Sequence, residues 1–198
     1  MENELKNLFD GTNYPGKKLT IFTYPAPVLK KIAPEVTEFT DELKELIIDM
    51  LHTMYMAPGI GLAAPQVGKS LRLFVSDIDF EREEEDSEDE ENPTYKNINL
   101  NPRVFINPKI TAKEGEILFE EGCLSVPGIY EKVKRFEKIK LEYQDINGEK
   151  HELHAEGLES VCLQHELDHL NGIVFIEKLS PLKQQFVRKQ FQKQQKRK

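Results

Sequence analysis

The sequence predicts an α+β protein, and three observations carry that prediction. Residues 158–171 hold an H-E-x-x-H pattern on a helical period. Residues 41–56 carry a second apolar stripe at helical spacing. Around these helices lie strand-like segments at 71–75, 104–106 and 139–143, and an Asn147-Gly148 turn leads from the last of them into residues 150–154.

Thr40 is placed to begin the first of these helices. Leu43, Leu46, Ile47, Met50, Leu51 and Met54 then fall on one face, which reads as core. The following run, Gly59-Ile60-Gly61-Leu62-Ala63-Ala64-Pro65-Gln66-Val67-Gly68, is built of small residues that let a backbone approach a ligand closely. Gln66 is its one polar side chain, and its amide could donate to a developing oxyanion. A glycine-rich turn between elements is the ordinary explanation of such a run, and it lacks G-x-G-x-x-G. His151 and His154 alternate with Glu152 and Leu153 as strand residues do, and read as surface or edge histidines.

In the motif helix, Leu158, Val161, Cys162, His165, His169 and Leu170 recur at spacings of three and four, and no proline interrupts them. Gly172 stands where a glycine would end the helix. His165 and His169 are one turn apart, so both rings leave the same face, as two imidazoles on one metal ion must. Glu166 sits beside them, in reach of protons on a water at that metal. A catalytic centre of this kind needs a third protein ligand. The continuation H-x-x-G-x-x-H is excluded because Phe175 stands at its last position. Glu177 is a weak candidate, close behind the motif. Cys162 lies about 10.5 Å along the helix axis from His169, too far for a short side chain to share its metal. Cys123 lies between glycine and Pro-Gly, in a constrained segment able to bring a thiolate to a helix from outside.

Together these segments resemble peptide deformylase of the bacterial type with a C-terminal helix. That family carries G-φ-G-φ-A-A-x-Q, E-G-C-L-S and Q-H-E-x-D-H-L in this order. All three are intact here, at 59–66, 121–125 and 164–170, and the resemblance covers roughly residues 19–190. It implies antiparallel or mixed β-sheets around a central helix carrying the motif, with a C-terminal helix. It implies a hydrolase that removes the formyl group from N-formylmethionine on newly synthesised chains and releases formate. Cys123, His165 and His169 would hold the metal, usually Fe²⁺, with Zn²⁺, Ni²⁺ or Co²⁺ able to occupy the site. Glu166 would transfer protons, and the Gln66 side chain and Leu124 backbone N–H would stabilise the oxyanion. The backbone at Gly59, Ile60 and Gly61 would bind substrate as an added strand beside an apolar pocket for the methionine. Glu121 reads either as support for a ligand or as a surface carboxylate. Two rivals are a zinc metallopeptidase, carried by H-E-x-x-H alone, and a non-catalytic, metal-stabilised ribosome-binding module.

At 198 residues the chain reads as one domain over 1–198. Two cysteines in unlike contexts give no disulfide framework, and no signal peptide or membrane-length apolar run is evident, so a cytoplasmic location is expected. Charge is uneven. Residues 81–91 carry a net charge of −8, equal to that of the whole chain. That stretch reads as a solvated, disordered insertion at about 79–97. Residues 183–198 carry seven basic residues and no acid, within a helix or tail at about 181–198. Leu182, Phe186, Val187 and Phe191 give that tail an apolar stripe. Packing and solubility explain it in part; contact with the ribosome through its RNA is the functional reading. Neither a membrane nor DNA is expected as a partner.

Overall fold

The computed structural model describes residues 2–9, 14–57, 59–84 and 95–195. In chain order these form α1 (Glu2–Leu8), α2 (Asp41–Met56), β1 (Gly61–Ala63), β2 (Leu73–Ser76), β3 (Glu81–Glu84), β4 (Tyr95–Ile98), β5 (Arg103–Glu114), β6 (Ile117–Glu121), β7 (Glu131–Arg135), β8 (Lys138–Gln144), β9 (Lys150–Glu156), α3 (Gly157–Leu170) and α4 (Pro181–Gln195). The main sheet is antiparallel throughout, in the order β1-β2-β5-β8-β9, and β3–β4 and β6–β7 are separate two-stranded sheets. This is the predicted α+β architecture. No helix among the described residues is long and apolar enough to cross a membrane.

Local chemistry sets the elements. The Thr40 hydroxyl accepts from the Leu43 N–H at 3.3 Å and so caps α2, whose apolar face is buried against β1 and β2. The β8–β9 hairpin turns where Asp145 Oδ1 accepts from the N–H groups of Asn147 and Glu149, with Gly148 at φ +83°. β5 runs for 12 residues where the sequence suggested three. Its pairing with β8 shifts register across Asn107-Pro108 and again after Ile110, and the strand continues; Asn107 takes φ +52° and donates its N–H to Arg72 O.

α3 lies between two apolar clusters. Leu163, Leu167 and Leu170 join Phe74, Phe105 and Leu141 of the sheet, while Val126, Val133 and Phe175 belong to a second cluster that also holds Val187 and Phe191 of α4. The helix ends as predicted. Gly172, at φ +71°, donates to His169 O and Ile173 N donates to Asp168 O, which completes a Schellman motif. On α4 the expected stripe divides: Val187 and Phe191 are buried, whereas Leu182 and Phe186 are 78% and 68% exposed. The acidic segment also differs from an unbroken loop. Its flanks, β3 and β4, pair in register from Glu81↔Ile98 to Glu84↔Tyr95, and Arg82 donates to Tyr55 O at 2.7 Å. Residues 85–94, on which the rest of that expectation falls, lie outside the described residues.

Candidate metal centre

Two segments converge on one cluster of three donors. α3 supplies His165 and His169, both buried, from one face. The connection from β6 to β7 supplies Cys123. One ligand atom from each of the three lies within 4.8 Å of the others, and Cys123 Sγ is 3.2 Å from His169 Nε2. The cysteine segment is pinned on both sides: Val126 N donates to Cys123 O, and Tyr24 N donates to Ser125 O. Cys162 stays outside the cluster. Its Sγ faces Ile60 O at 3.7 Å, and burial pushes its thiol pKa well above the ordinary value. Glu177 pairs with Lys30, and Phe175, at the position that rules out a third histidine, packs its ring against His165.

The ring of His165 is set from behind. Its Nδ1 lies 2.9 Å from Glu121 Oε2, and Arg135 clamps the same carboxylate with Nε at 2.6 Å and Nη2 at 2.8 Å. Burial alone would raise the Glu121 pKa, but Arg135 and His165 outweigh it and hold the carboxyl at about 2. An ionised Glu121 accepts, so Nδ1 carries the proton and Nε2 is left for a metal. Arg135 also binds Asp168 of α3, which ties β7 to the helix. Burial lowers the His169 pKa well below the usual value and keeps that ring neutral. One thiol and two imidazoles suit a divalent transition metal and leave room for a fourth, exchangeable position.

Glu166 is buried beside these donors. Burial raises its carboxyl to about 7, and Oε2 has no partner among the described residues. Gln66, at the turn after β1, is oriented by the backbone three residues earlier: Ala63 N donates to Oε1 at 2.8 Å. Nε2 therefore points at Ser125 Oγ, 3.2 Å away, and Cys123 Sγ, 3.6 Å away. Gly59, Ile60, Gly61, Gln66, Cys123, Leu124, His165 and Glu166 all line one cavity of about 380 Å³. Leu158, predicted on the buried face, is 40% exposed and lines this cavity.

Sequence reasoning left Glu121 open and missed Arg135 and Asp168. Glu121 is 5% exposed and Arg135 4% exposed, so both belong to the site and not to the surface. A second group of donors, Asp145, Glu149 and His151, closes the β8–β9 turn, where Asp145 serves as its acceptor. His154 is exposed as expected.

Residues 18–185 match the family model described as polypeptide deformylase. The chain is 48% identical over 178 residues to a peptide deformylase of Chromobacterium violaceum, covering 90% of this chain and 96% of the relative. It is 47% identical over 177 residues to one from Wolinella succinogenes, with 89% and 97% covered. Among solved structures, the peptide deformylase of Legionella pneumophila superposes with a TM-score of 0.76 at 43% identity, covering 90% of this chain and 96% of that one. That of Synechococcus elongatus in complex with actinonin superposes with a TM-score of 0.73 at 40% identity, covering 88% and 90%.

Proposed function

The chain belongs to the polypeptide deformylase family, and from that premise we propose how its own residues perform the reaction. It is a metal-dependent hydrolase that removes the formyl group from N-formylmethionyl peptides and releases formate. The observation that carries the residue assignment is the meeting of the Cys123, His165 and His169 donor atoms beside Glu166, whose Oε2 has no partner among the described residues.

Cys123, His165 and His169 hold the metal. When bound, it supplies a Lewis acid that polarises the formyl group and makes water nucleophilic near neutral pH. Fe²⁺ is the working ion; Zn²⁺, Ni²⁺ and Co²⁺ fit the same donors. Glu166, with its pKa near 7, takes a proton from the attacking water. The oxygen of that water bonds to the formyl carbon. The carbon–nitrogen bond then breaks, its electron pair goes to nitrogen, and Glu166 returns the proton to the departing amine. The Gln66 Nε2 amide and the Leu124 N–H donate to the carbonyl oxygen as it gains charge; losing one such donor typically costs about 100- to 1000-fold in turnover. Glu121 and Arg135 act through His165 by fixing its ring.

The peptide lies along Gly59, Ile60 and Gly61 with its methionine in the cavity. β1 is the edge of the main sheet. Asp77 N donates to Ile60 O, so the alternation of an antiparallel pair directs the N–H and C=O of Gly61 away from β2, toward an added strand. The substrates are nascent chains in the cytoplasm, and the basic C-terminal helix meets the ribosome. Formate release from formyl-Met-Ala, with no cleavage of unblocked peptides, tests the reading. Peptide-bond cleavage without formate release would turn it toward a metallopeptidase.

A further inference from the structure

Asp77 lies just past the end of β2 and is fully buried, yet it belongs to neither group of candidate metal donors and does not line the cavity. Its carboxylate is saturated by four donors from three segments. The Tyr55 hydroxyl donates to Oδ2 at 2.6 Å and Asn101 N donates to Oδ2 at 2.7 Å. Asp79 N and Phe80 N donate to Oδ1 at 3.0 and 3.2 Å. The main chain of the same residue donates to Ile60 O at 3.0 Å. A side chain gripped in this way fixes the backbone that carries it, and this backbone holds the middle of the peptide-binding segment.

The other anchor of that segment comes from the same place. Gly59 N donates to Met54 O, in the last turn of α2, one residue before Tyr55. The hydroxyl of Tyr55 thus joins the two supports, α2 and the end of β2, into one body. The Tyr55 ring is in turn held by Phe9, Tyr14 and Phe80, with centroids 5.7, 5.8 and 5.4 Å away. Resting on the reading that peptide pairs with residues 59–61, we propose that Asp77 and Tyr55 are positioning residues for the peptide backbone beyond the formylmethionine. They set the register of residues 59–61 and make no hydrogen bond of their own to Cys123, His165, His169 or Glu166. The methionine itself is held by the cavity, so only residues that follow it feel the loss.

The test compares formyl-Met with formyl-Met-Ala-Ser on the metal-loaded enzyme and on its Tyr55→Phe and Asp77→Asn variants. In the parent enzyme the longer substrate has the lower KM. In the variants KM for formyl-Met-Ala-Ser rises about three- to tenfold, the effect of one weakened hydrogen bond. KM for formyl-Met and kcat for both substrates stay within about twofold, and metal content is unchanged. Tyr55→Phe keeps the ring in its aromatic cluster, so it decides the matter if Asp77→Asn does not fold. A parent enzyme that gains nothing from the longer peptide would sink the strand reading and this proposal with it. A gain that survives intact in a folded Tyr55→Phe, or an equal fall in kcat on both substrates, would overturn the proposal and leave the strand reading standing.

Discussion

Gly61 and Glu166 touch with no space between them: a β-carbon on Gly61 would lie 2.5 Å from Glu166 Oε1 and 2.9 Å from its Cδ. β1 can carry only glycine here if the carboxylate is to stay beside the metal ligands. The same contact brings the edge of the sheet to the proposed proton-transfer group.

Gly61→Ala should therefore push the Glu166 side chain aside and leave the fold in place, because the group that must yield is the free end of a side chain. Turnover should fall about 100-fold, as a displacement of about an ångström can do. Glu166→Gln should lose about 100- to 10,000-fold, the usual contribution of an acid–base group. Both variants should retain the parent's metal content, measured by elemental analysis. Loss of metal from either folded protein would mean that Glu166 is a ligand.

The buried pair of Glu121 and Arg135 should show itself in stability. Glu121→Gln leaves Arg135 short of an anion and should cost about 3–5 kcal/mol in urea unfolding near neutral pH. The folded-state pKa of Glu121 is depressed from the ordinary 4.5 to about 2. Its contribution is therefore present above pH 4.5 and is lost as pH falls toward 2. The stability gap between parent and Glu121→Gln, measured on metal-stripped protein, should close across that interval. A gap that stays constant down to pH 2 would place the effect elsewhere.

What the sequence made legible was whatever repeats with a period or depends on short reach. The α3 helix, its glycine stop and the pairing of His165 with His169 follow from a period of 3.6, and helical rise alone removed Cys162. Arg135 was not legible. In β7 it follows Glu131, Lys132, Val133 and Lys134, where charge hides the inward alternation, and only its long side chain reaches Glu121, which the β6–β7 register sets opposite Glu131. Its other partner, Asp168, is 33 positions away on a helix. β5 was hidden for a different reason: two register shifts interrupt its pairing with β8, so no simple alternation runs through its 12 residues.

On α4, packing and contact with the ribosome should separate by residue. Phe191→Ala removes a buried ring and should destabilise the protein by about 3–5 kcal/mol. A double Lys189→Ser, Lys193→Ser variant removes only exposed charges and should change stability by no more than about 0.5 kcal/mol. It should weaken co-sedimentation with ribosomes at low salt and leave small-peptide turnover unchanged. Undiminished ribosome binding by the double variant would show that the basic face of α4 is not the contact.

The most direct measurement of the central claim is metal content and formate release on the parent, Cys123→Ser and Cys162→Ser proteins, purified without oxygen. The parent should hold about one divalent metal per chain, matching the one cluster of Cys and His donors among the described residues, and should release formate from formyl-Met-Ala. Cys123→Ser should lose most of both, and Cys162→Ser should keep both. A Cys123→Ser protein that retains its metal and its activity, beside a Cys162→Ser protein that loses them, would contradict the account.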